Sequence, residues 1–195
     1  MKWQDRRLLD LFGIEHPILQ APMAGVTSPQ LCIATSEAGG LGSVAGAMLT
    51  LDGLRQEMQV VKQGTGRPFN VNFFTHEPPQ RDAARDAKWR QRLSAYYAEL
   101  GVPADAKGGS RAAFDAAGCE LLLEFEPKVA SFHFGLPARA LVQKLKAAKI
   151  LVISSATTVE EARWLEGEGV DAVIAQGNEA GGHRGMFLTD DIARQ

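Results

Sequence analysis

The stretch Val173 to Gly185, VIAQGNEAGGHRG, holds the residue types most able to do chemistry. An apolar run, Val173 to Ala175, stops at Gln176 and gives way to a loop with glycines, a carboxylate, a histidine and an arginine. Gly177, Gly181, Gly182 and Gly185 remove Cβ atoms where a backbone must turn at positive φ or lie close to a ligand, so that its N–H groups can face something anionic. His183 follows the glycine pair and brings an imidazole, a ring that can donate or accept a hydrogen bond. Taken alone, Gly-Gly-His suits a solvated surface turn equally well, so the surroundings must decide.

Two other stretches carry polar groups into apolar runs. In Pro68 to Phe74 the side chains of a strand alternate, which puts Asn70 and Asn72 on one face and Phe69, Val71 and Phe73 on the other. Buried amides need partners, so such a strand reaches for a polar ligand; a half-exposed strand with a wet face would show the same pattern. His133 stands near the end of the run Val129 to Phe134.

The elements that must position these residues alternate. Asp5 to Phe12 reads as a short amphipathic helix, and His16 to Met23 as a strand ending in a loop. Ser28-Pro29 is a helix start, with a capping hydroxyl before a proline at the first helical position, and Gln30 to Ala38 follow helically. Leu41 to Gly46 is a strand, Asp52 to Lys62 a helix and Pro68 to Phe74 a strand. The region from Glu77 to Lys128 reads as an elaborated crossover within a single domain spanning residues 1–195. It carries helical patterns at Trp89 to Leu100 and Arg111 to Phe125, broken by Pro103 and Gly108-Gly109. Val129 to Phe134 is a strand, and Pro137 opens a helix to Lys149. Ile150 to Ser154 is a strand, Val159 to Gly167 a helix and Asp171 to Ala175 a strand. This order calls for an α/β fold with a parallel sheet buried on both faces. Met23, Asn70, His133, Ser155, Gln176 and His183 are all expected at or just beyond the carboxyl ends of strands, where an α/β barrel or doubly wound sheet builds its site.

Composition excludes several classes of partner. With 195 residues, 45% of them hydrophobic, and a formal charge of -2, the chain has enough apolar material for a sizeable core. Lys and Arg (21) nearly balance Asp and Glu (23), which speaks against nucleic acid and anionic membrane surfaces as partners. No window approaches the length of an apolar membrane span, and MKWQDRRLL puts charges where a signal peptide needs an apolar core, so a cytoplasmic location is expected. Cys32 and Cys119, far apart in helix-like segments, read as reduced, packed thiols, and no metal-ligand cluster is visible.

QAPMAGV (Gln20 to Val26), GGLGSVAG (Gly39 to Gly46), SFHFGLP (Ser131 to Pro137) and QGNEAGGHRG (Gln176 to Gly185), in that order, resemble the motifs of the nitronate monooxygenases, formerly called 2-nitropropane dioxygenases. The resemblance covers nearly the whole chain. It implies a TIM-type (β/α)8 barrel with FMN at the carboxyl ends of the strands, oxidising small alkyl nitronates with dioxygen to carbonyl compounds and nitrite. It implies that the backbone of Met23 lies beside the flavin ring and that Asn70, or failing it Asn72, contacts FMN. Gln176 would touch the flavin, Gly181 and Gly182 would approach its phosphate, and His183 and His133 would be the active-site imidazoles. His16 and His76, outside the motifs, read as solvated or structural.

A full barrel needs roughly 250 residues, whereas this sequence supplies about six strand–helix units. The remaining strands and part of the phosphate site would be missing, and the open edges would favour self-association. Two other readings stay open: an enzyme like the flavin-dependent enoyl-acyl carrier protein reductases, which share the early motifs, and a non-catalytic remnant. An IMP-dehydrogenase-like enzyme would need a cysteine in the loop after a late strand, and neither cysteine lies there.

Overall fold

The computed structural model describes residues 3–78, 80, 82–103, 105–106, 112–189 and 191–192. The described chain forms two compact units, residues 1–76 with 113–195, and residues 77–112. In the first unit the elements run α1 (Arg7–Phe12), α2 (Pro29–Glu37), β1 (Gly42–Val44), α3 (Leu51–Gly64) and β2 (Phe69–Phe74). They continue with α5 (Ala116–Phe125), β3 (Val129–His133), α6 (Arg139–Ala147), β4 (Leu151–Ala156), α7 (Val159–Gly167) and β5 (Ala172–Ala175). The second unit holds α4 (Ala83–Glu99).

All five strands are parallel and lie in sequence order, β1-β2-β3-β4-β5. This is an arc of a TIM-type barrel: the strands follow one another through helical connections, and α3, α5 and α6 pack on its outer face. Alternation assigns the two faces. Val44, Phe69, Val71, Phe73, Ala130, Phe132 and Val152 point outward into a core shared with Leu54, Met58 and Val61 of α3, Leu122 of α5 and Leu145 of α6. Cys32 and Cys119 are free thiols in this outer core, and burial pushes the Cys32 thiol up to about 12, which makes it inert.

The inner face is divided. Toward the amino ends of the strands, Leu41, Val129 and Ile153 pack against Leu9, Phe12 and Ile14, so α1 and the turn after it plug the bottom of the arc. Further along, polar residues enter the inward row: Asn72 pairs in register with Ser131, and Ser155 stands on β4 beside the apolar Ile174. Strand ends climb across the sheet. β1 ends at Val44 beside Val71, β2 and β3 end together at Phe74 and His133, and β4 and β5 end together at Ala156 and Ala175. Such stagger is what the tilted strands of a barrel require.

The expected strand from His16 to Met23 is reduced to one bridge, Leu19 to Leu41. Pro17 and Pro22 carry no N–H to extend a ladder on either side. Ser28 caps α2 as expected, its Oγ accepting from the Leu31 N–H at 3.3 Å. Asp82 caps α4 and starts it before Trp89, accepting from the N–H groups of Ala84 and Arg85 at 3.0 Å. Asp115 caps α5, so that helix begins at Ala116; its expected start at Arg111 and the break at Gly108-Gly109 lie outside the described residues. No described helix is long and apolar enough to cross a membrane.

Phe12 is 1% exposed in the plug. Replacing it with alanine should destabilise the chain by about 3–5 kcal/mol, the usual cost of emptying a buried aromatic site, read as a lower midpoint in denaturant unfolding.

Candidate functional site

The loop after β5 is fastened from both sides. Gln176, just past the strand, turns its amide back on the loop: Nε2 donates to the His183 carbonyl at 2.8 Å, and Oε1 accepts from the Gly185 N–H at 2.7 Å. His133, from the end of β3, reaches the same carbonyl through Nε2 at 3.0 Å, and its Nδ1 lies 2.5 Å from Ser155 Oγ on β4. A carbonyl can only accept, so Nε2 of His133 carries the proton; in the neutral ring Nδ1 then accepts from the Ser155 hydroxyl. Burial pushes the His133 pKa below its ordinary 6.5, and the nearby His183 ring lowers it further, against the bond to the His183 carbonyl. Gly185 is buried in this junction: a Cβ there would stand 2.6 Å from His133 Cε1 and 2.7 Å from Ser155 Oγ.

The His183 ring remains on the exposed loop, edge-on to Phe74 at 5.1 Å and to Phe134 at 5.9 Å between ring centroids. Phe134 has φ 70°, a left-handed backbone that costs a bulky residue strain. The Thr75 hydroxyl holds it there, within hydrogen-bonding distance of the carbonyls of His133 (3.0 Å) and Phe134 (2.9 Å). Gly182 also takes a left-handed φ of 81°, and the N–H groups of Gly181 and Gly182 meet no acceptor among the described residues.

Asn70 sits elsewhere on the inner face. It was expected at the carboxyl end of its strand, but the register pairs it with Val129, the first residue of β3, near the amino end of β2. Because the strand ends climb, it nonetheless pairs with Ser43, the penultimate residue of β1, and so lies close to the carboxyl end on that side. Its Nδ2 donates to Ser43 Oγ at 3.0 Å, whereas its Oδ1 is buried with no partner among the described residues. Asn72 Nδ2 donates to Ser131, to Oγ at 3.0 Å and to the carbonyl at 3.3 Å. Met23 is exposed and tied within its own loop, its N–H donating to Thr27 Oγ1 at 2.9 Å. The structure therefore joins His133, Gln176 and His183 in one network and leaves Asn70 and Met23 apart from it.

Glu161 escaped the sequence reading. It is 0% exposed, and its oxygens accept from the Thr157 N–H (2.7 Å) and hydroxyl (2.8 Å) and from the N–H groups of Phe187 (2.7 Å) and Leu188 (3.3 Å). Burial works against its ionisation, but these bonds prevail and hold its pKa below the ordinary 4.5. The signal was present: Thr158-Val159-Glu160-Glu161 is a capping-box pattern, and Thr158 does cap α7.

His133 makes a pH prediction. A folded pKa below the unfolded value means that its contribution to stability is complete above 6.5 and is lost as pH falls from there through the folded value. Unfolding free energies measured from pH 7 downward should decline by up to about 1.4 kcal/mol per unit from this group, and His133→Gln should flatten that part of the slope.

The family model described as nitronate monooxygenase matches residues 5–194. A nitronate monooxygenase of Paraburkholderia phytofirmans is 44% identical over 188 residues, covering 95% of this chain and 51% of that protein. Among solved structures, a nitroalkane oxidase from Streptomyces ansochromogenes superposes with a TM-score of 0.83 at 42% identity, covering 96% of this chain and 53% of that one. FabK from Thermotoga maritima follows the same fold, with a TM-score of 0.67 at 30% identity over 93% of this chain and 47% of that one. The chain spans about half the length of the curated relatives it matches. The match to the family model over residues 5–194 and the identity to its members over more than nine-tenths of the chain place it in the nitronate monooxygenase family.

Proposed function

We propose that this chain supplies the flavin-facing half of a site that oxidises alkyl nitronates with dioxygen to carbonyl compounds and nitrite, with FMN as cofactor. The observation that carries the reading is Asn70 Oδ1, a buried acceptor without a donor on the inner face of the arc. Leaving such an atom unpaired costs about 1–3 kcal/mol, which a bound group with an N–H would recover, and the imide edge of a flavin offers one. The open N–H groups of Gly181 and Gly182 fit the cofactor's phosphate by the same logic of donor to anion. Met23 would line the ring with its backbone. Gln176 fits a flavin contact less well, since both ends of its amide already serve the loop.

FMN, where bound, would supply the electron-transfer chemistry between nitronate and dioxygen. The chain's own part is to hold the anion. A nitronate has already lost its carbon-bound proton, so the protein needs donors for the nitro oxygens, and the His183 imidazole is exposed on its loop to serve as one. For a neutral nitroalkane the same ring is the available base. Phe74 and Phe134 flank it with apolar edges that exclude water from one side. His133, with both ring nitrogens engaged, shapes the pocket rather than moving protons.

Incubating the purified chain with FMN, removing free cofactor by gel filtration and assaying nitrite release from an alkyl nitronate under air tests the reading. Retained yellow colour with nitrite release is expected. NAD(P)H-dependent reduction of an enoyl thioester without nitrite would transfer the chain to the reductase reading, and a colourless, inactive chain to the non-catalytic one. In the FMN-loaded protein, His183→Asn should lower turnover by about 10²–10³-fold, the usual effect of removing one transition-state donor, while leaving the flavin spectrum in place. His133→Asn should cost less.

A further inference from the structure

The His183 ring is exposed, so what holds it must act through the backbone of its loop. One tether is the His183 carbonyl, held by Gln176 and His133. A second lies past the loop, where the N–H groups of Phe187 and Leu188 both point at Glu161 Oε1. Glu161 stands in the first turn of α7, where the helix dipole favours an anion, and its other oxygen is bound by Thr157 at the end of β4. The ring of Phe187 is edge-on to Trp164 at 5.2 Å, and a Cβ on Gly135 would lie 3.2 Å from it.

We propose that Glu161 is a positioning residue for His183: a buried carboxylate that clamps the outgoing limb of the glycine-rich loop to β4 and α7, so that the imidazole is presented beside Phe74 and Phe134. The catalytic consequence rests on the nitronate reading above; the clamp itself does not. Each carboxylate oxygen takes two donors, so Glu161→Gln turns an amide N–H either on the N–H groups of Phe187 and Leu188 or on the N–H of Thr157, and in both orientations it removes the charge that all the donors share. Glu161→Asp keeps the charge and shortens the reach, so it should retain part of the clamp.

Two measurements on the flavin-free chain read the clamp directly. In wild type the amides of Phe187 and Leu188 should be protected from hydrogen exchange; in Glu161→Gln they should exchange at least about tenfold faster while the amides of β2 and β3 keep their rates. Glu161→Asp should fall between the two, and it carries the test if the glutamine variant does not fold. By NMR the His183 ring signals, shifted by Phe74 and Phe134, should move toward solvent-exposed values in Glu161→Gln. The His76 signals, from a ring against the same two phenylalanines at 6.3 and 6.2 Å, should stay in place. Unchanged exchange at 187 and 188 in both variants, or an increase spread evenly over the whole sheet, overturns the proposal. A clamp that behaves as described in a chain that neither binds FMN nor releases nitrite would leave the positioning role standing and remove the nitronate reading instead.

Discussion

The carbonyl oxygen of His183 accepts hydrogen bonds from the Gln176 amide and the His133 ring, and because a carbonyl cannot donate, the rest of the carboxyl end follows from it. His133 must carry its proton on Nε2, and Nδ1 must then accept from Ser155. The carboxyl ends of β3 and β4 are thereby tied, through His133 and Ser155, to the loop that leaves β5. Gly185 has to be a glycine because a Cβ there would run into the imidazole and the serine hydroxyl at that junction.

Around this knot the arc divides its inner face between stability and chemistry. Leu41, Val129 and Ile153 are plugged by α1, and beside and beyond them the inward row carries Asn70, Asn72, Ser131 and Ser155. A parallel barrel permits this because every second side chain of each strand faces inward, whatever its type. Polar inward residues then need partners on neighbouring strands. Asn72 finds Ser131, and Asn70 finds Ser43 for its nitrogen but nothing for its oxygen. That unpaired buried acceptor is the observation on which the proposed flavin contact rests.

Two kinds of restraint meet at the loop. Hydrogen bonds to Gln176, His133 and Glu161 fix its start, its middle and its exit, while its tip at Gly181 and Gly182 is left with open N–H groups. The strained backbone of Phe134, held by Thr75, sets one ring of the aromatic wall. Fixed ends with an open tip suit a loop that must present donors to an anion without collapsing onto itself.

By itself the sequence determined what is local. The alternation in Phe69 to Phe74 sorted amides from apolar side chains, Ser28-Pro29 marked a helix start, and the glycines around His183 marked a loop, because dihedral preference and strand period act over a few residues. The motifs likewise pointed to the family that the comparisons show. Tertiary structure alone decided the register that places Asn70 beside Val129, the shrinkage of the first strand to the bridge at Leu19, and the tautomer of His133. It also decided the partners of Glu161, which the capping-box pattern announced only as a helix start. These outcomes depend on groups far apart in the chain, His133 with His183 across 50 residues and Glu161 with Phe187 across 26, and such partners meet only once the strands have chosen their stagger.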